Sequence, residues 1–217
     1  MIGASDFLIQ FYKDLKEEEV LNMIEIVHRG SMRLKTMIND LLAAHRIDES
    51  QLILDKTRVD LVNVVGQVIK DTTYLFKQRK QDLQHDLPET CITNADRFRL
   101  EQVITNLLQN ACKNTPPGGI IKIVLHQSEE TGITLSVIDT GVGLTPGEIE
   151  KLFTKFGKLC RQDVNEDIEI SGNGLGLFIS KQIIEAHGGK IWAESEGRSK
   201  GSTFSFIIPP ISNPDDA

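Results

Sequence analysis

Apolar residues recur at alternating steps of four and three from Val20 through Ile24, Val27, Ser31, Leu34, Ile38 and Leu41 to His45. Six of these eight positions are apolar, which predicts the heptad seam of a coiled coil or helical bundle. Met23 and Met37 widen the stripe, as a bundle requires. Glu17, Glu18 and Glu19 open this helix with negative charge where its dipole favours it. A short apolar helical stretch over 2–12 precedes it, across a turn at 13–16. A hairpin this small buries too little surface alone, so it is expected to pair with a second copy through residues 1–50.

Beyond the hairpin the period changes. Residues 52–56 read as a strand and 57–60 as a hinge, with Asp60 capping a helix whose apolar positions run from Leu61 to Phe76. Strands follow at 82–87 and 91–95. Asp96 then caps a helix over 97–114, which Pro116-Pro117-Gly118-Gly119 stops. Runs at 120–127 and 133–138 form a hairpin, and Thr145-Pro146-Gly147-Glu148 is a capping box with proline at the first helical position. The polar stretch 157–171 reads as a mobile loop of the kind that forms lids. A helix over 175–187 closes at Gly188-Gly189. Strands at 191–195 and 202–208 end the fold, and a disordered tail follows from Ile211. The expected class is α+β: a helical hairpin over 1–56, then an α/β sandwich over 57–217 with a mixed sheet and helices on one face.

Composition narrows the function. The 217-residue chain carries a net charge of −7, which argues against a general nucleic-acid partner. Cys91, Cys112 and Cys160 are odd in number and far apart, so reduced thiols in a cytoplasmic setting are expected. Three small semi-buried side chains are the ordinary account of each. No apolar run approaches the ~18 residues of a membrane span, so a membrane enters only through segments upstream.

The chemistry concentrates on the 97–114 helix. Arg99, Gln102, Asn106, Asn110 and Lys113 share one face, opposite Leu100, Val103, Ile104, Leu107, Leu108 and Ala111. Amides and cations with no carboxylate beyond Glu101 suit an anionic ligand with a metal, although a polar stripe also serves as a solvated face. Two glycine clusters favour the ligand. Asp139-Thr140-Gly141-Val142-Gly143 follows an apolar strand, and Gly172-Asn173-Gly174-Leu175-Gly176-Leu177 opens a helix, where amides attract phosphate. Neither is the dinucleotide fingerprint or a Walker A loop.

In order, Asn106-Leu-Leu-Gln-Asn110-Ala, Asp139-x-Gly-x-Gly, Phe153-x-x-Phe156 and Gly172-x-Gly-Leu-Gly-Leu resemble the N, G1, F and G2 boxes of sensor histidine kinases. The resemblance runs from the first helices to Pro209 and implies the Bergerat-type ATP-binding fold. It implies ATP and Mg2+ as cofactors, with Asn110 as metal ligand, assisted by Asn106, and Lys113 on phosphate oxygens. It places the adenine-reading carboxylate at Asp139, where a turn-capping aspartate is the alternative. Gly141 and Gly143 would pass the base. Gly172, Gly174, Leu175, Gly176 and Leu177 would close on the phosphates. Gly201-Ser202-Thr203 resembles a final glycine box, with Thr203 in the site. Phe153 and Phe156 read as a core pair that also seats the lid.

Two departures stand out. Asn114 occupies a position where many members have an aromatic residue near the adenine. The phosphoacceptor box, a histidine followed by an acidic residue on the first bundle helix, is missing. His28 precedes Arg29-Gly30, His45 falls on the seam, His85 and His126 lie in strands, and His187 ends a helix. A fragment that starts just after the box is the expected explanation. The resemblance thus implies the catalytic core of a kinase that moves the ATP γ-phosphoryl group to histidine for relay to a response regulator. The alternatives are a nucleotide-binding dimerisation scaffold without transfer and an ATPase of the gyrase, mismatch-repair or chaperone class, which would need a catalytic glutamate on the 97–114 helix.

Overall fold

The computed structural model describes residues 2–11, 15–48, 52–128, 130–157 and 174–210. They form two compact units, Met1–Glu49 and Ser50–Ala217.

In the first unit, α1 (Ile2–Phe11) packs on α2 (Glu17–Asp48). Val20, Met23, Val27 and Gly30 of α2 are half-buried. Leu21, Ile24, Leu34, Met37, Ile38, Leu41 and Leu42 are each at least 40% exposed, so much of the predicted seam is bare within this chain. The side chain of His45 lies outside the described residues.

The second unit begins earlier than the 57 expected from the sequence. Residues 52–56 cluster with it, and the Asp55 main-chain N–H donates to Asp96 Oδ2 at 3.1 Å. The segment 52–56 is not a strand. The strand is instead β1 (Thr57–Asp60), where a hinge was expected, paired antiparallel with β3 (Ile92–Ala95). The apolar Leu52-Ile53-Leu54 run gave the wrong signal: Ile53 is 87% exposed and pairs with nothing in the ladder.

The remaining strands, β2 (Asp82–Asp86), β4 (Ile120–Ser128), β5 (Gly132–Asp139), β6 (Lys190–Glu194) and β7 (Ser202–Ile208), make one sheet ordered β2-β4-β5-β7-β6. The β2–β4 pair is parallel and the others antiparallel, the mixed sheet expected. Alternation assigns the faces. Ile121, Ile123, Leu125, Ile133, Leu135, Val137, Phe204, Phe206 and Ile208 are buried, while Lys122, Thr134, Ser136 and Thr203 sit on the other face.

Helices α3 (Leu61–Gln78), α4 (Arg97–Asn114) and α6 (Gly176–Ala186) cover the apolar face. The starts of α3 and α4 have the cause expected. Asp60 Oδ1 accepts from Val62 N–H at 3.1 Å, and Asp96 Oδ1 accepts from Arg99 N–H at 3.0 Å. Thr145 and Glu148 close a capping box on the four-residue α5 (Pro146–Ile149). α4 lies between α3 and α6 and carries six fully buried apolar side chains, Leu100 to Ala111. Burying each leucine or isoleucine is worth about 1.5–3 kcal/mol. That apolar arc fixes the rotation of α4 and therefore the direction of its polar stripe.

Candidate functional site

The stripe of α4 comes out half-buried throughout: Arg99, Gln102, Asn106, Asn110 and Lys113. Its neighbours are α6 at one end and the loop after β5 at the other.

Asn106 faces α6. Its Nδ2 donates to Ser180 Oγ at 3.0 Å. A Cβ on Gly176 would come within 2.3 Å of Asn106 Oδ1, so the first turn of α6 reaches the amide only because residue 176 is glycine. Asn106 is therefore a strut between two helices. Asn110, one turn on, accepts twice from a single amide: Asn114 Nδ2 donates to its carbonyl oxygen at 2.7 Å and to its Oδ1 at 3.1 Å. Lys113 follows on the same face.

Asp139 ends β5 and is 4% exposed. Its Oδ1 accepts from Gly141 N–H at 2.8 Å, the turn-capping geometry weighed from the sequence. A carboxylate has two oxygens, so this cap is compatible with a second role.

The 139–144 loop is held on two sides. Val142 N–H donates to the Asn114 carbonyl at 3.1 Å. A Cβ on Gly141 would lie 2.3 Å from that same oxygen. On the other side stands the turn between β6 and β7. Ser199 N–H donates to Val142 O at 2.8 Å and Gly201 N–H to Gly141 O at 3.1 Å. Ser195 Oγ accepts from Leu144 N–H at 2.9 Å while donating to Gly201 O at 2.6 Å. Gly143, at φ +66°, and Gly201, at φ +73°, would place a Cβ about 2 Å from the carbonyl oxygens of Gly197 and Asp139. These glycines allow loop to meet loop. Arg198 completes the clasp on Glu148, Nη2 to Oε1 at 2.9 Å. Although burial acts to raise the Glu148 carboxyl, hydrogen bonds from Thr145 and the Arg198 charge hold it below its ordinary range. Ser195, Ser199 and Arg198 were not foreseen, because nothing in their local sequence signals a partner some fifty residues away.

Gly174 has φ +72° and sits against the Phe156 backbone, where a Cβ would approach to 2.9 Å. Leu175 is 1% exposed; Leu177 is half-buried. Gly172 lies outside the described residues, as do the 158–171 part of the expected mobile loop and Cys160.

Two expectations fail. Thr203 does not join the cluster: β7 pairs it with Ile138, on the face away from the helices. Ser202 pairs with Asp139, shares its face and is 6% exposed, so the register brings Ser202 there instead. Phe156 is not a core residue. It is 62% exposed at φ +58°, because the segment after α5 is a series of turns and not the helix that would align it with half-buried Phe153.

Among the described residues no three His, Cys, Asp or Glu side chains are grouped to hold a metal ion.

Residues 95–212 match the family model of histidine kinase-, DNA gyrase B- and HSP90-like ATPases. The chain is 32% identical over 201 residues to the adaptive-response sensory kinase SasA of Thermosynechococcus vestitus, covering 92% of this chain and 51% of SasA. It spans about half or less of the length of the curated sensor kinases it matches. Among solved structures, the catalytic domain of histidine kinase ThkA is 31% identical with a TM-score of 0.60, covering 71% of this chain and 95% of that one. ThkA in complex with the response regulator protein TrrA is 29% identical with a TM-score of 0.71, covering 99% and 58%. A mixed sheet with one face under α3, α4 and α6, a buried aspartate ending its central strand, and these matches agree: the chain belongs to the histidine kinase-, DNA gyrase B- and HSP90-like ATPase family, and its ATP-binding domain is of the histidine kinase type.

Proposed function

We propose that this chain is the ATP-binding catalytic part of a sensor histidine kinase, joined to most of a dimerisation hairpin, and that it works in the cytoplasm. The observation that carries this reading is the meeting of the half-buried amide stripe of α4 with the loop begun by buried Asp139. Asn114 joins them, taking Val142 N–H on its carbonyl while its side chain holds Asn110.

The donor set fits a magnesium nucleotide. Asn110 Oδ1 is a hard neutral oxygen, and magnesium keeps most of its waters, so one protein ligand beside phosphate oxygens suffices. Lys113 supplies a point charge for phosphate oxygens. Asp139, desolvated at the end of β5, would accept from an exocyclic amino group of the base. The main chain around Gly174, Leu175 and Gly176 starts α6, and its N–H groups suit phosphate. When bound, the cation would neutralise charge on the transferred phosphoryl group. The chain's own residues bind and orient.

Bare apolar positions along α2 support a homodimer through the hairpin, and the ThkA–TrrA complex supports a response regulator as partner. The gyrase-like ATPase reading finds less support. Glu101 is the one carboxylate on α4, and it pairs with Arg97 at 2.9 Å, off the stripe.

Calorimetry with ATP, in magnesium and in EDTA, tests the division of roles. Asp139→Asn should weaken binding in both by roughly tenfold or more, since a hydrogen bond to a charged group is worth ~1.5–3 kcal/mol. Asn110→Ala should weaken only the magnesium-dependent part. Equal losses from both variants in EDTA would refute the reading.

A further inference from the structure

The side chain of Asn114, one residue past the stripe, binds Asn110 within it. Its Nδ2 carries two hydrogens. One goes to the Asn110 carbonyl at 2.7 Å and the other to Asn110 Oδ1 at 3.1 Å. The first bond is a second donor to a carbonyl in the last turns of α4 and ties the side chain back along the helix. The second has no such structural purpose. It fixes which end of the Asn110 amide is oxygen, because only an acceptor can face an N–H donor. Asn110 Oδ1 keeps a second lone pair for a ligand. A freely rotating asparagine would present its NH2 group about as often as its oxygen.

The main chain of Asn114 is equally committed. Its carbonyl takes Val142 N–H at 3.1 Å and touches Gly141 so closely that a Cβ there would come within 2.3 Å. Gly141 N–H in turn is bonded to Asp139 Oδ1 at 2.8 Å. One residue thus links the amide of Asn110 to the loop that holds Asp139.

We infer that Asn114 is a positioning residue: it aims the Asn110 oxygen and so sets how strongly magnesium promotes nucleotide binding to this chain. The inference rests on Asn110 being the cation ligand proposed above.

The test uses the full chain and ATP as probe, with dissociation constants measured by calorimetry in excess magnesium and in EDTA. Asn114→Leu removes both donors at similar size, and Asn114→Ala removes them without crowding the loop. Thermal melts establish that each variant folds. Both should bind ATP about three- to tenfold more weakly in magnesium, the worth of one neutral hydrogen bond. In EDTA they should match wild type to within about twofold. Placed on Asn110→Ala, they should remove no further magnesium dependence. Equal losses in magnesium and EDTA would make Asn114 a purely structural residue and overturn the inference, as would failure of both variants to fold. A loss that persists undiminished on Asn110→Ala would also overturn it. Should Asn110→Ala by itself leave the magnesium enhancement intact, the reading of Asn110 falls and takes this inference with it.

Discussion

His187, at the end of α6, accepts the main-chain N–H of Asp96 on Nε2 at 3.0 Å, while its Nδ1 bonds the Ile183 carbonyl at 2.8 Å. The ring therefore ties α6 to the cap of α4 as the neutral tautomer with hydrogen on Nδ1. Protonating Nε2 would abolish the acceptor.

Stability should accordingly depend on pH. Burial lowers the His187 pKa below its ordinary 6.5, outweighing the Ile183 hydrogen bond and Asp96, which raise it; Lys56 acts with burial. With a depressed folded pKa, the unfolded chain takes up the proton first as pH falls. The His187 contribution is complete above about 6.5 and is lost as pH drops below it. Urea midpoints should fall between pH 7.5 and 5.5, and His187→Gln should flatten that slope. A variant with the same slope as wild type would remove His187 as the cause.

Gly66 lies inside α3, and a Cβ there would meet nothing within 4 Å. Gly66→Ala should stabilise the second unit by about 0.5–1 kcal/mol, because alanine has less backbone freedom to lose on folding. A lower urea midpoint for the variant would contradict this.

Cys91 is fully buried, and its thiol is pushed up to about 11, by burial first and by the Asp60 carboxylate second. Cys112 is 4% exposed. Iodoacetamide at pH 8 should modify neither in the native protein and both in denaturant. Mass spectrometry locates the label, and rapid native labelling of Cys91 would refute its inertness.

What the sequence disclosed follows from the range of each signal. Asp60, Asp96 and Thr145 cap helices within three residues of themselves, so their patterns were readable in place. The apolar arc of α4 defined its polar stripe for the same reason. Strand β1 was missed because Thr57-Arg58-Val59-Asp60 is too short to alternate, and its partner, Ile92–Ala95, lies beyond a whole helix and strand. Thr203 was chosen over Ser202 because the face of β7 depends on pairing with β5. The Asn114–Asn110 bond spans only one helical turn, yet it depends on a rotamer, which no spacing rule specifies.

Ile24, Leu34, Ile38 and Leu41 leave α2 with a stripe 48–51% exposed, the surface expected of a helix awaiting a partner. Ile38→Asp would place a charge in that stripe and should give monomers where wild type gives dimers, since an unpaired charge in an apolar seam is costly. Sedimentation of wild type as a monomer at high concentration would refute a seam between copies.

The last prediction separates binding from transfer. On the proposed reading Asn110, Lys113, Asp139 and the glycine-bearing turns would hold MgATP, so the chain should bind it. Transfer also needs an acceptor nitrogen in line with the γ-phosphate and a base to take its proton. His28 is exposed on α2 but is followed by Arg29 and Gly30. His85 precedes Asp86, yet both lie in β2. His126 sits in β4, and His187 is buried with both nitrogens engaged. The chain alone should therefore take up no phosphoryl group. A separately supplied hairpin, carrying a histidine followed by an acidic residue, should be phosphorylated in trans. With γ-labelled ATP, acid-labile and base-stable label should appear on the added hairpin only, and Asn110→Ala should reduce it. Label on this chain by itself, abolished by His28→Gln, would show that the acceptor lies on α2 after all.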